Sequence, residues 1–148
     1  MRFILVDRIV ELVPGERIVA EKDVKPEEDY FRDHFPGFPV VPGVLLTEMM
    51  AQAAGKCLDA EKLPRGKAML ARIRSASFRQ WVCPGSLVEI HAIVGANQAK
   101  MATAACHVEV SGKKVAEADL LFSFLPMGNL QTEYRDEILE EFLSRALD

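Results

Sequence analysis

The chain has 148 residues, 49% of them hydrophobic and 27% charged, with a formal net charge of −4. That suits one domain able to bury a core without disulfides or a metal. The acidic balance excludes general nucleic-acid binding as the main task, because neutralising phosphates needs a basic excess.

The three cysteines, Cys57, Cys83 and Cys106, are scattered, form no C-x-x-C, and share no zinc-type spacing with histidine, so free thiols in a reducing compartment are expected. No basic start joined to a long apolar run and a cleavage site opens the chain. Residues 1–13 include Arg2, Asp7, Arg8 and Glu11, too much charge for a membrane span. A soluble cytoplasmic protein is the expectation.

Phe3-Ile4-Leu5-Val6 and Ile9-Val10 lie in a run that ends at Pro14-Gly15, which predicts a first strand, and the alternation from Arg17 to Val24 predicts a second, hairpinned to it. Residues 25–43 break the pattern with Pro26, Pro36, Gly37, Pro39, Pro42 and Gly43, and carry Tyr30, Phe31, Phe35 and Phe38. Fixed proline φ angles make this a stiff loop, and its apolar bulk requires it to be packed down. Val44 to Ala60 follows without proline and with apolar residues on nearly every side, predicting a helix buried all round. Four more strands are expected near 68–80, 86–96, 100–111 and 114–125, separated by Pro84-Gly85, Gly95-Ala96-Asn97 and Ser111-Gly112-Lys113. Short connections favour antiparallel pairing, so the class is α+β, with a sheet curled around one helix. Gln131 to Ala146 and the residue beyond it carry Ile138, Leu139, Phe142, Leu143 and Leu147 at helical spacing, an amphipathic helix that follows a domain spanning 1–126 and forms an extension over 127–148.

Three features carry chemistry. Glu48 lies early in a helix with almost no other charge, and a carboxyl shielded from water holds its proton more tightly, which suits a general acid. His34 is the histidine of the stiff aromatic loop, and a neutral imidazole accepts a proton at neutral pH. His91 and His107 fall in strand patterns and read as ordinary surface or pairing positions. Pro42-Gly43-Val44 opens the helix, where unpartnered N–H groups at the positive end of the dipole can hold a carbonyl oxygen gaining charge. Taken singly, each has an ordinary structural explanation. Together, a base, an acid and an oxyanion site are the parts for eliminating water next to a thioester carbonyl.

The run His34-Phe35-Pro36-Gly37-Phe38-Pro39-Val40-Val41-Pro42-Gly43-Val44-Leu45, then Glu48 and Met50-Ala51-Gln52-Ala53, resembles the signature of the β-hydroxyacyl-acyl-carrier-protein dehydratases, the FabA/FabZ group of bacterial fatty acid synthesis. Leu5-Val6-Asp7-Arg8, Phe78-Arg79, Cys83-Pro84-Gly85 and Val115-Ala116-Glu117-Ala118 are similar to that family's strand landmarks, so the resemblance covers about residues 4–125. It implies a hotdog fold, a six-stranded antiparallel sheet wrapped around one long helix. It also implies a homodimer, or a trimer of dimers, with His34 from one subunit facing Glu48 of the other. The N–H at Gly43 or Val44 would polarise the thioester carbonyl, Gln52 would orient Glu48, and Phe31, Phe35, Phe38 and Met49 would line the acyl tunnel, with Met50 and Leu70 beside them. No cofactor or metal is implied. The substrate rides on the phosphopantetheine of an acyl carrier protein, and its product is a trans-2-enoyl thioester. Glutamate at 48 resembles the class that dehydrates without isomerising.

Two departures stand out. The family's His-Arg-Tyr-Pro-Phe type segment has no counterpart before Phe3, so that lid is expected to be missing or replaced, and Ile73-Arg74-Ser75 stands where Ile-Asp-Lys is usual. A specialised lipid or polyketide pathway is therefore an alternative setting. Docking an acidic carrier needs local basic residues, for which Arg65, Lys67, Arg72, Arg74, Arg79 and Lys100 are the candidates. A hotdog thioesterase and a non-catalytic acyl-binding module remain as alternative functions.

Overall fold

The computed structural model describes residues 2–126 and 135–146. Its strands are β1 (Arg8–Val13), β2 (Arg17–Asp23), β3 (Lys67–Phe78), β4 (Leu87–Asn97), β5 (Met101–Val110) and β6 (Lys113–Leu125). Its helices are α1 (Gly43–Asp59) and α2 (Glu137–Ala146), and a 3₁₀ turn spans Asp29–Arg32. The six strands form one antiparallel sheet in the order β1-β2-β4-β5-β6-β3. The expected start of the last helix at Gln131 lies outside the described residues.

Turn chemistry sets the β1–β2 hairpin. Gly15 has φ of +73°, and the Glu16 N–H donates to the Val13 carbonyl at 2.9 Å. Proline then glycine at the two central positions is what a type II turn demands. The later strands match the alternating runs to within one or two residues at each end.

Alternation puts Ile18, Ala20, Val88, Ile90, Ala92, Ala102, Ala104, Val108, Ala116, Leu120 and Phe122 on the concave face, all buried. The alanines let α1 lie close to the sheet, and Leu46, Met49, Met50, Ala53, Ala54, Cys57 and Leu58 of α1 fill the space between. The sheet therefore curls around α1 in the hotdog arrangement.

Three expectations need correction. The apolar run at residues 3–6 is not part of a strand, because the side-chain amide of Gln52 stands in for one: Leu5 N–H donates to Gln52 Oε1 at 2.9 Å, and Gln52 Nε2 donates to the Phe3 carbonyl at 3.1 Å. The helix begins one residue earlier than expected, at Gly43. Nor is α1 buried all round. Val44 is 74% exposed, and Glu48, Gln52, Gly55 and Asp59 are only half-buried. These positions fall at steps of three or four, so they make one open stripe along the helix.

The edge strands differ. β1 has α2 packed against it, and Phe142 of α2 enters the core while the Lys56 ammonium sits over its ring at 4.8 Å from the centroid. In β3, every residue from Met69 to Phe78 is exposed.

Burial also separates the thiols. It pushes the Cys57 thiol up to about 11 and the Cys106 thiol up to about 12, while Cys83 is exposed. Only a thiolate reacts with a disulfide reagent. The native protein should therefore titrate one thiol per chain at Cys83, and all three after denaturation. Rapid reaction of Cys106 in the native state would contradict this packing.

Candidate active site

Two chain segments meet at the N-terminus of α1. The first is the loop carrying His34. Its N–H donates to the Tyr30 carbonyl at 3.0 Å, and its own carbonyl accepts from Val40 N–H at 3.0 Å. Phe35 and Phe38 exchange both backbone hydrogen bonds at 2.9 Å around Pro36-Gly37, with Gly37 at φ +77°. Val41 N–H then donates to the Val82 carbonyl at 2.8 Å, tying the loop to the segment before β4. The His34–Phe35 peptide is cis.

This backbone fixes the ring. His34 Nδ1 lies 3.0 Å from the Val40 carbonyl, which has no proton to give, so Nδ1 carries the hydrogen and Nε2 is the free basic nitrogen. The ring stacks on Phe35 with centroids 4.0 Å apart.

The second segment is the start of α1. Pro42 is the N-cap, and its side chain offers no hydrogen-bond acceptor to the first-turn N–H groups. Leu45 and Leu46 N–H groups turn back to the Pro42 carbonyl. That leaves the Gly43 and Val44 N–H groups at the positive helix end. A Cβ at Gly43 would lie 3.2 Å from the Phe78 ring, so glycine is what lets Phe78 close over the helix start. Phe78 was legible only as a family landmark, since its place depends on how β3 registers on β6.

Glu48 follows one turn later on the open stripe. Gln52 Nε2 donates to its Oε1 at 3.1 Å. Glu48 and Gln52 line a cavity of about 200 Å³ with Ala51, Met69, Leu70 and Phe122. The glutamate thus opens toward β3 and its bare edge. Farther along, the Lys67 ammonium joins Asp59 of α1 at 2.5 Å and Asp136 before α2. Lys56, whose pKa burial lowers, lies in the same cavity as Glu48. Sequence reasoning missed this buried lysine, because a cation two turns beyond Glu48 looks like surface until α2 covers it.

Among the described residues, no hydrogen bond, ion pair or ring contact joins His34 to Glu48 within one chain. The four residues expected to line a tunnel are not gathered either. Phe31 and Phe35 line a separate cavity with Pro26, Pro39 and Pro84; Phe38 is exposed; and Met49 is fully buried in the core. The hairpin at Pro36-Gly37 turns Phe38 outward, and the helical phase turns Met49 toward the sheet. Of the basic candidates, Arg65 is held by Glu61 and the Phe124 ring, Lys67 by Asp59 and Asp136, and Arg79 by Glu117. Arg72, Arg74 and Lys100 are exposed and form no ion pair among the described residues.

The hotdog sheet thus carries a helix-start amide pair, a histidine loop and a helix glutamate. By sequence the chain belongs to the FabA-like family, whose domain model matches residues 1–119. Within it, the chain is similar to proteins named 3-hydroxyacyl-acyl-carrier-protein dehydratase FabZ. That of Lactiplantibacillus plantarum is 41% identical over 120 residues, covering 80% of this chain and 82% of that protein. That of Ruminiclostridium cellulolyticum is 36% identical over 122 residues, covering 82% and 86%. Among solved structures, the dehydratase heterocomplex ApeI:P from Xenorhabdus doucetiae superposes with a TM-score of 0.68 at 17% identity, over 86% of this chain and 87% of that one. A variant of the phenylacetic acid degradation protein PaaI from Thermus thermophilus gives 0.63 at 23% identity, over 82% and 95%. At such identities the likeness shows the fold.

Proposed function

We propose that the protein removes water from (3R)-hydroxyacyl thioesters carried by acyl carrier protein, giving trans-2-enoyl thioesters for fatty acid synthesis. The observation that carries the reading is the His34 ring held on the Val40 carbonyl, in the loop that leads into an uncapped helix start, in a chain similar to FabZ. His34 Nε2 takes the proton α to the carbonyl. The Gly43 and Val44 N–H groups hold the thioester oxygen as it gains charge. Glu48, oriented by Gln52, gives a proton to the departing β-hydroxyl, which leaves as water. The proton on His34 then returns to Glu48 and closes the cycle. No step calls on a cofactor, and cytoplasmic fatty acid synthesis is the setting this chemistry fits. No described helix is long and apolar enough to cross a membrane.

The working unit is a homodimer joined through β3. An unpaired edge with apolar side chains is a template for another chain. The register on β6 turns Leu70, Ile73 and Phe78 toward the helix side of the sheet, where they are exposed, and the open stripe of α1 carrying Glu48 faces the same space. A second copy on this edge would cover both and bring its own His34 loop to Glu48. Ile73→Lys is therefore expected to shift the protein from dimer to monomer in sedimentation and to abolish turnover with it. A fully dimeric, active Ile73→Lys protein would contradict this interface.

The activity itself is tested with 3-hydroxybutyryl and crotonyl thioesters, following enoyl absorbance and free thiol. Reversible hydration without thiol release is the expected result. Thiol release would mean a thioesterase, and neither change a binding module.

A further inference from the structure

On the face of the sheet turned away from α1, β4 and β5 assemble a square of two imidazoles and two carboxylates that the dehydration chemistry does not use. His91 and His107 are direct partners in the antiparallel register, and so are Glu89 and Glu109. Side-chain alternation puts all four on one face, because Ile90, Ala92, Cys106 and Val108 between them are buried on the other. The two rings stack in parallel, 4.4 Å between centroids and 7° between planes. His91 Nε2 lies 2.6 Å from Glu89 Oε1 and 3.0 Å from Glu109 Oε2, and His107 Nε2 lies 2.8 Å from that same Glu109 oxygen.

Two carboxylates directly opposite each other weaken a strand pair, and a cation among them removes the penalty. The donors are of the kind that select a borderline divalent transition ion: imidazole nitrogen and carboxylate oxygen. The ligand atoms of His91, His107 and Glu109 all lie within 4.8 Å of one another. A tetrahedron of zinc bonds has its ligands about 3.4 Å apart, so side-chain shifts of about an ångström close the shell. The backbones stay where the sheet holds them. His91 and His107 keep 24% and 28% of their side-chain surface open, which leaves an entry path. Sequence spacing hides this cluster, because its members come from two strands.

We propose that His91, His107 and Glu109 form a site for a divalent transition ion of the zinc class on the convex face. The bound ion ties β4 to β5 at the centre of the sheet. Because it binds the folded state, it raises the melting temperature.

Calorimetric titration of the purified protein with zinc chloride at neutral pH tests this, alongside thermal melting. One ion per chain and a raised melting temperature are expected. Loss of a partner that only supports a ligand costs about 10–100-fold in metal affinity, so His91→Gln and His107→Gln should each cost at least as much. Cys83→Ser, which removes the exposed thiol, should leave the affinity unchanged. Circular dichroism without zinc verifies that each variant is folded, and Glu109→Gln serves as a further ligand variant if a histidine variant is not. Absence of saturable zinc uptake would overturn the proposal, as would undiminished uptake by the folded His91→Gln/His107→Gln protein or, in its place, by Glu109→Gln.

Discussion

Glu48→Gln is expected to lower kcat by about 10²–10⁴-fold, the usual worth of a positioned general acid, with little change in KM. The substitution keeps the shape and a hydrogen-bonding oxygen for Gln52, which now donates to Glu48 at 3.1 Å. What it removes is the transferable proton. An interaction made only in the transition state shows in kcat and kcat/KM alike. His34→Ala should fall as far, since it removes the one basic nitrogen that the Val40 carbonyl leaves free. Neither side chain fills the core, so the melting temperature should stay close to that of the unaltered protein. Steady-state hydration of crotonyl thioester measures both effects. Undiminished turnover in either variant would refute the assignment.

The largest effect on stability is expected at Phe122. Its ring is 2% exposed on β6, registered between Ala102 of β5 and Leu70 of β3, and it forms part of the wall behind Glu48. Phe122→Ala removes the ring where a neighbour as small as Ala102 cannot fill the gap. Core truncations of this size cost about 3–5 kcal/mol, against a total of about 5–15 kcal/mol for a domain. Urea unfolding should show the loss as a lower midpoint with an unchanged slope. Phe122→Leu, which leaves much of the volume, should lose far less. A loss under about 1 kcal/mol in Phe122→Ala would mean that the sheet closes on α1 differently.

Much of the fold was legible because local chemistry dictates it. Pro14-Gly15 and Ser111-Gly112 mark turns whatever surrounds them, and alternation marks β4, β5 and β6. The failures share one physical cause, which is that composition reports what a residue is and not what covers it. Residues 3–6 read as a strand, yet a side chain 47 residues away takes the Leu5 N–H. The apolar α1 reads as buried all round, yet along its stripe Val44 is exposed and Glu48, Gln52 and Gly55 are only partly covered by the described residues. His91 and His107 read as ordinary positions until register makes them partners. At the candidate site, the loop and helix start were legible in the spacing of prolines and glycines. Phe78 over Gly43 was not, because two register shifts in β3 decide where that ring falls.

The central claim is that the acid and the base of one site come from two chains. Among the described residues of one chain, no hydrogen bond, ion pair or ring contact joins them, and the open stripe and exposed β3 are where a second chain would bring them together. The most direct test mixes two inactive proteins, His34→Ala and Glu48→Gln, by co-expression. In a mixed dimer with shared sites, one site receives both altered residues and the other receives neither. Random pairing should then restore about a quarter of the unaltered activity, since half the dimers are mixed and each has one intact site. If each chain supplies both residues of its own site, the mixture will stay as inactive as its components.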